Sequence, residues 1–239
     1  MQTPRDDPDK GVFMANDKES VVGTLAPPRK SDVLFGPGME WQANACVNGV
    51  GGSIAYQDGY RRAALHLAEY VCDVQQGQDF LVYPIVYLYR HHIELTLKSI
   101  VNVAWFLTDH TPTKKDLDTL GRHDLARLWD FARPLLNPIC ELGGSPALPI
   151  DDLEGIDSYI LQLHKHDPDG QRFRYSTTKT KGHKATRSPS LRPDLKHINI
   201  RNFAIVLEKL ADYLDGIDSW FGDLVEAKIE FQSKYASTG

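Results

Sequence analysis

The chain has 239 residues, 41% of them hydrophobic and 25% charged, so it is long enough to bury one sizeable core and too apolar for a disordered tail. Its formal net charge of −5 excludes a uniformly basic nucleic-acid binder, although an average can conceal a local patch. Cys46, Cys72 and Cys140 cannot all pair and have no metal-ligand spacing, and MQTPRDDPDK lacks the apolar run of a signal peptide, so a reduced, cytoplasmic protein is expected.

Residues 1–50 carry scattered proline and glycine without a sustained apolar period, and read as a partly disordered N-terminal arm. GVGGS at 49–53 forms a hinge into a helical domain expected over 51–235. From Ile54 to Gln75, the residues Tyr60, Ala63, Ala64, Leu67, Ala68, Val71 and Val74 recur at intervals of three and four, the pattern of an amphipathic helix. The break at 76–78 is short, which makes the next helix its antiparallel neighbour.

That next helix, Phe80 to Leu107, reads FLVYPIVYLYRHHIELTLKSIVNVAWFL and is apolar enough to be buried on most sides. Arg90, Glu94 and Lys98 divide it into uncharged pieces shorter than the ~20 residues of a membrane span. At about 100° per residue, Tyr87, His91, Glu94 and Lys98 fall on one stripe, with Arg90 beside Glu94. Such a stripe must be paired internally, wetted, or turned to a ligand; i,i+4 pairing of Arg90 with Glu94 and of Glu94 with Lys98 is the plainest expectation.

Beyond Leu107 the chain turns polar, then resumes helical spacing at Leu125, Leu128, Trp129, Ala132 and Leu135, with Pro134 and Pro138 expected to stop that helix early. A further helix is expected from Pro149 to His164, its apolar face Leu153, Ile156, Ile160 and Leu163. Between Gln171 and His197 the helical period lapses. Here Arg172, Arg174, Lys179, Lys181, Lys184, Arg187, Arg192 and Lys196 face Asp194 alone, a net +7. Phe173 and Tyr175 alternate with Arg172 and Arg174, so a short hairpin turning near Lys181-Gly182 is expected, either as a solvated loop or as a seat for a phosphate backbone. The last helix is expected from Asn199 to Phe221.

No GxGxxG, Walker A, GxSxG or HExxH pattern occurs, so dinucleotide, P-loop, hydrolase-elbow and zincin chemistries lack support. Neither His91-His92 nor His164-x-His166 puts two imidazoles on one helical face, so no metal is expected, and no cofactor.

The long helix with ELTLK at 94–98, then His123-Asp124-Leu125 opening the next, then Arg174-Tyr175 and a closing amphipathic helix, resembles the HEPN domain of prokaryotic toxin, defence and nucleotidyltransferase-associated proteins. The resemblance spans roughly residues 53–220. It implies an antiparallel helical bundle, frequent homodimerisation, and an antitoxin or nucleotidyltransferase partner; with the residues read above, the expected fold is all-α with a small basic hairpin or loop insertion, and the charges inside the long helix lead to the expectation of no membrane association. In active members it implies a metal-independent endoribonuclease of a toxin–antitoxin or anti-phage defence system; other members are non-catalytic modules that bind RNA, nucleotide or a protein partner.

Active HEPN ribonucleases carry an Arg, four to six residues and a His near the start of the last core helix, often with Asn after the Arg. Arg192 and His197, in RPDLKH, match that spacing and place, with Pro193 where Asn is usual. Arg61 and His66 also have the spacing, but inside a helix they lie about 140° apart and face different ways. Arg201-Asn202 has the dipeptide without a following His. In such a pair histidine takes the ribose 2′-hydroxyl proton and the arginine fork holds the phosphate as charge builds, leaving a 2′,3′-cyclic phosphate and a 5′-hydroxyl. The expected sites are therefore Arg192 and His197 for catalysis; Arg172, Arg174, Lys179, Lys181, Lys184 and Arg187 for RNA; and the polar stripe of Arg90, His91, Glu94, Lys98 and His123.

Overall fold

The computed structural model describes residues 27–32, 34–47, 51–179 and 187–236. It divides into two units, Met1–Val47 and Asn48–Gly239. Within the first, a 3-10 turn spans Trp41–Ala43, and the Asn44 carboxamide closes a loop onto the backbone of Gly38.

The second unit is all-α: α1 (Gly52–Val74), α2 (Gln78–Leu107), α3 (Lys114–Leu120), α4 (Leu125–Leu142), α5 (Ile150–His166) and α6 (Ile200–Ala236), with one two-stranded antiparallel hairpin between α5 and α6. No described helix is long and apolar enough to cross a membrane. The central helix is α2, which packs against α1, α4 and α6 and buries Ile93, Leu97, Ile100 and Ala104 completely. Its continuous apolar sequence is thereby explained: few of its faces are left for water.

The chain reverses at Gln75–Gly77, where Gln75 and Gly77 both adopt positive φ. Gln57 then meets His92 while Tyr60 meets His91, so α1 runs antiparallel to α2. Tyr89 meets Phe203, Thr96 meets Asp215, and the carbonyl of Leu107 meets Lys228, so α6 runs parallel to α2. A polar seam ties these three helices together: Arg61 on α1 donates at 2.8 Å to both Glu208 and Asp215 on α6.

Four local expectations are corrected. The polar stretch after α2 holds a short helix, α3, started by a capping box in which Thr113 and Asp116 bond each other's backbone N–H. Pro134 and Pro138 do not stop α4, which runs on to Leu142. Both prolines are exposed, as is Asp130 four residues earlier, so the carbonyls they release lie on the water side, while Leu128, Trp129, Ala132, Leu136 and Ile139 hold the other face in the core. The last helix continues well past Phe221 because Leu224 and Val225 still pack and Lys228 donates to the carbonyls of Phe106 and Leu107, each at 3.0 Å, and to Asp109 at 2.6 Å. It thus caps the C-terminus of α2. Finally, the strands β1 (Thr177–Lys179) and β2 (Arg187–Pro189) start later than the alternation of residues 172–175 suggests; those residues form the turn leading into β1. The hairpin tip, with Lys181 and Lys184, lies outside the described residues, as do residues 1–26 of the arm and the side chain of Lys179.

Candidate nucleic-acid interface

The polar stripe of α2 splits into an inward and an outward half. Arg90 and Glu94 point in: Arg90 Nη1 donates to Glu94 Oε2 at 2.9 Å, and the two side chains are 2% and 1% exposed. Arg90 also donates through Nε to the carbonyl of Asp167 at 3.2 Å and through Nη2 to the carbonyl of His123. Glu94 Oε1 accepts from Lys98 at 2.8 Å and lies 2.7 Å from His123 Nδ1. Burial alone would raise the Glu94 pKa, but Lys98, His123 and Arg90 outweigh it and hold the carboxyl below its ordinary value. The cluster is closed on itself and has no fork or carboxylate left for a ligand.

Its consequence is positional. Asp167, the residue that ends α5, is buried; its Oδ2 lies 3.3 Å from Arg90 Nε while its Oδ1 accepts the backbone N–H of Arg172 at 2.9 Å. Gly170 lets the chain turn there, with φ +69 and Arg90 Nη1 only 2.8 Å from where a Cβ would stand. A buried arginine on α2 therefore fixes where the basic segment leaves α5. The DPDG sequence at 167–170 is a turn signal that could have located this anchor.

The outward half carries rings. His91 stacks on Tyr87 with centroids 5.7 Å apart and planes 9° from parallel, and Tyr60 of α1 meets His91 edge-on at 4.5 Å. Burial lowers the His91 pKa, which keeps this ring neutral near pH 7. The Arg174 guanidinium lies over Tyr87 at 5.2 Å and over Tyr175 at 5.4 Å. Tyr60, His91, Tyr87, Arg174 and Tyr175 thus form one row from α1 across α2 to the segment before β1. Phe173, buried between the half-buried Arg172 and the exposed Arg174, pins that segment to the bundle.

The cations of this region are unequally committed. Arg172 is held by Asp169, with Nε 3.3 Å from Oδ1, and by the carbonyl of Ser190 at 3.4 Å. Arg174 and Arg187 have no carboxylate partner among the described residues. Arg192 is occupied: Nε and Nη2 grip the two oxygens of Asp194 at 3.0 and 3.1 Å. His197 is exposed just before α6 and borders two cavities, one of about 300 Å³ reaching Asp167 and Asn202, the other of about 440 Å³ reaching Asp79 and Tyr83. Arg192 borders neither. Among the described residues no group of three or more His, Cys, Asp or Glu could hold a metal ion.

No protein-family model matches the sequence, and no curated protein or solved structure matches it.

Proposed function

We propose that this chain is a HEPN-like helical module that binds RNA along the row of rings and arginines on its α2 face. One observation carries the reading. Arg174, in a segment of net +7, is exposed and lies over two tyrosine rings, with no carboxylate partner among the described residues. The ring contacts position the guanidinium and leave N–H groups for a phosphate, while the neighbouring rings offer faces to bases. Homodimerisation, and pairing with an antitoxin or nucleotidyltransferase, belong to the same proposal and rest on the resemblance alone.

The second reading is the metal-independent endoribonuclease built on Arg192 and His197. An exposed imidazole at the edge of two cavities supports it; the closed Arg192–Asp194 pair counts against it, since a phosphate at that fork must first displace a carboxylate.

The test is the salt dependence of RNA affinity. Each phosphate contact on a single strand contributes about 0.7 to the slope of log K against log salt. Arg174→Gln and Arg187→Gln together should lower that slope by about 1.4. An unchanged slope in the double variant removes the phosphate seat from this face.

A further inference from the structure

Beside the row lies a cleft of about 350 Å³ bordered by Tyr83, Arg172, Arg174, Tyr175 and Pro189. Tyr83 sits one helical turn before Tyr87 on α2, so its ring extends the same face. Tyr83 and Tyr175 are 44% and 54% exposed, and neither hydroxyl bonds another described residue. Both open rings border the same cleft as the guanidinium groups of Arg172 and Arg174.

We propose that this cleft takes one unpaired nucleobase of single-stranded RNA, stacked between Tyr83 and Tyr175, with the adjoining phosphate on Arg174. This deepens, and rests on, the RNA-binding reading above. The size fits: about 350 Å³ is at the small end of ligand sites, room for one nucleotide and far too little for a duplex. The chemistry fits as well. A ring face is of use only to a base that has left its stack, and paired RNA presents phosphates and 2′-hydroxyls with its base faces covered. An acidic peptide would satisfy the arginines yet leave both rings idle. The two guanidinium groups differ in freedom: Asp169 and Ser190 close the fork of Arg172, which serves as a wall of the cleft, whereas Arg174 has no carboxylate partner among the described residues and lies over two rings.

The experiment measures binding of a fluorescent single-stranded RNA octamer, and of the same sequence annealed to its complement, over a range of salt concentrations. Tyr83→Leu and Tyr175→Leu should each weaken single-strand binding about tenfold, the usual loss of one base–aromatic stack, while leaving the salt slope unchanged. Tyr175→Phe should restore it. Both positions are exposed, so an unchanged thermal midpoint will certify the fold of the variants. If wild type binds the octamer with its full salt slope and the leucine variants bind equally well, the slot is wrong and the phosphate seat stands. If duplex binds as tightly as single strand, the slot is again wrong. If wild type binds no RNA but captures a polyglutamate peptide, the RNA reading itself falls and takes the slot with it.

Discussion

Arg90 and Glu94, one turn apart on α2, meet at 2.9 Å with both side chains out of water, and that pair sets where the basic surface begins. Through Asp167, which Arg90 contacts and which in turn holds the backbone of Arg172, a core ion pair reaches the segment that carries Arg174. Removing the carboxylate tests its structural weight. Glu94→Ala leaves Arg90 buried without its charge partner, a loss of about 3 to 5 kcal/mol in comparable buried pairs. Urea denaturation reads this directly, and a loss under about 0.5 kcal/mol, the range of an exposed pair, would contradict the closed cluster.

A second buried group makes stability depend on pH. His92 is fully buried, with Nδ1 3.0 Å from the carbonyl of Gln57 and Nε2 3.4 Å from Asp215. Burial lowers its pKa; Asp215 and Glu208 pull upward and Arg61 adds to the lowering. A histidine whose folded pKa lies below the ordinary 6.5 takes up its proton more readily when unfolded. Its contribution is therefore complete above 6.5 and is lost as pH falls from there toward the lower folded value. In His92→Asn the amide replaces Nδ1–H toward Gln57 and cannot titrate. The slope of stability against pH below 6.5 should flatten in that variant, by at most about 1.4 kcal/mol per pH unit. Denaturation series at pH 7.5 and 5.5 check this, and parallel slopes in the two proteins would remove His92 as the cause.

Gly170 is where the turn and the core collide. Its φ of +69 is a conformation that costs another residue about 1–3 kcal/mol, and a methyl would also stand 2.8 Å from Arg90 Nη1. Gly170→Ala should therefore destabilise by more than backbone strain alone, while Gly144→Ala, at φ +71 with open space around it, should cost strain only. Thermal or urea unfolding of the two variants side by side gives the difference, and equal losses would mean that Arg90 yields freely.

The sequence made some of this legible and hid the rest for physical reasons. Arg90, Glu94 and Lys98 are four residues apart, a local spacing that any helix turns into neighbours, so their pairing could be read directly. Asp167 lies 77 residues from Arg90, and nothing local connects them; only the packing of α5 against α4 brings that anchor in. The prolines of α4 misled because a propensity rule weighs the missing hydrogen bond, whereas the structure puts both on the water side of a well-buried helix. Tyr87 and His91 could be placed on one stripe, but their partners Tyr60 and Arg174 come from other segments, so the row itself was invisible until the fold assembled it.

The last prediction separates binding from cleavage. Arg192 and His197 keep the spacing of a ribonuclease pair, yet Asp194 occupies both ends of the arginine fork, and only His197 reaches the neighbouring cavities. A fork already neutralised by a carboxylate gains little when charge develops on a phosphate, because that interaction must first be exchanged. Wild type should therefore leave end-labelled RNA intact in EDTA, and His197→Ala should bind RNA as tightly as wild type. Asp194→Asn supplies the sharper arm. It releases the fork while removing one negative charge, so RNA affinity should rise and the salt slope should steepen by about 0.7, one additional phosphate contact. Cleavage in EDTA that yields 2′,3′-cyclic phosphate ends and disappears in both Arg192→Ala and His197→Ala would reverse the order of the two readings. The open imidazole would then be the general base, and the Arg192–Asp194 pair a latch that substrate has to open.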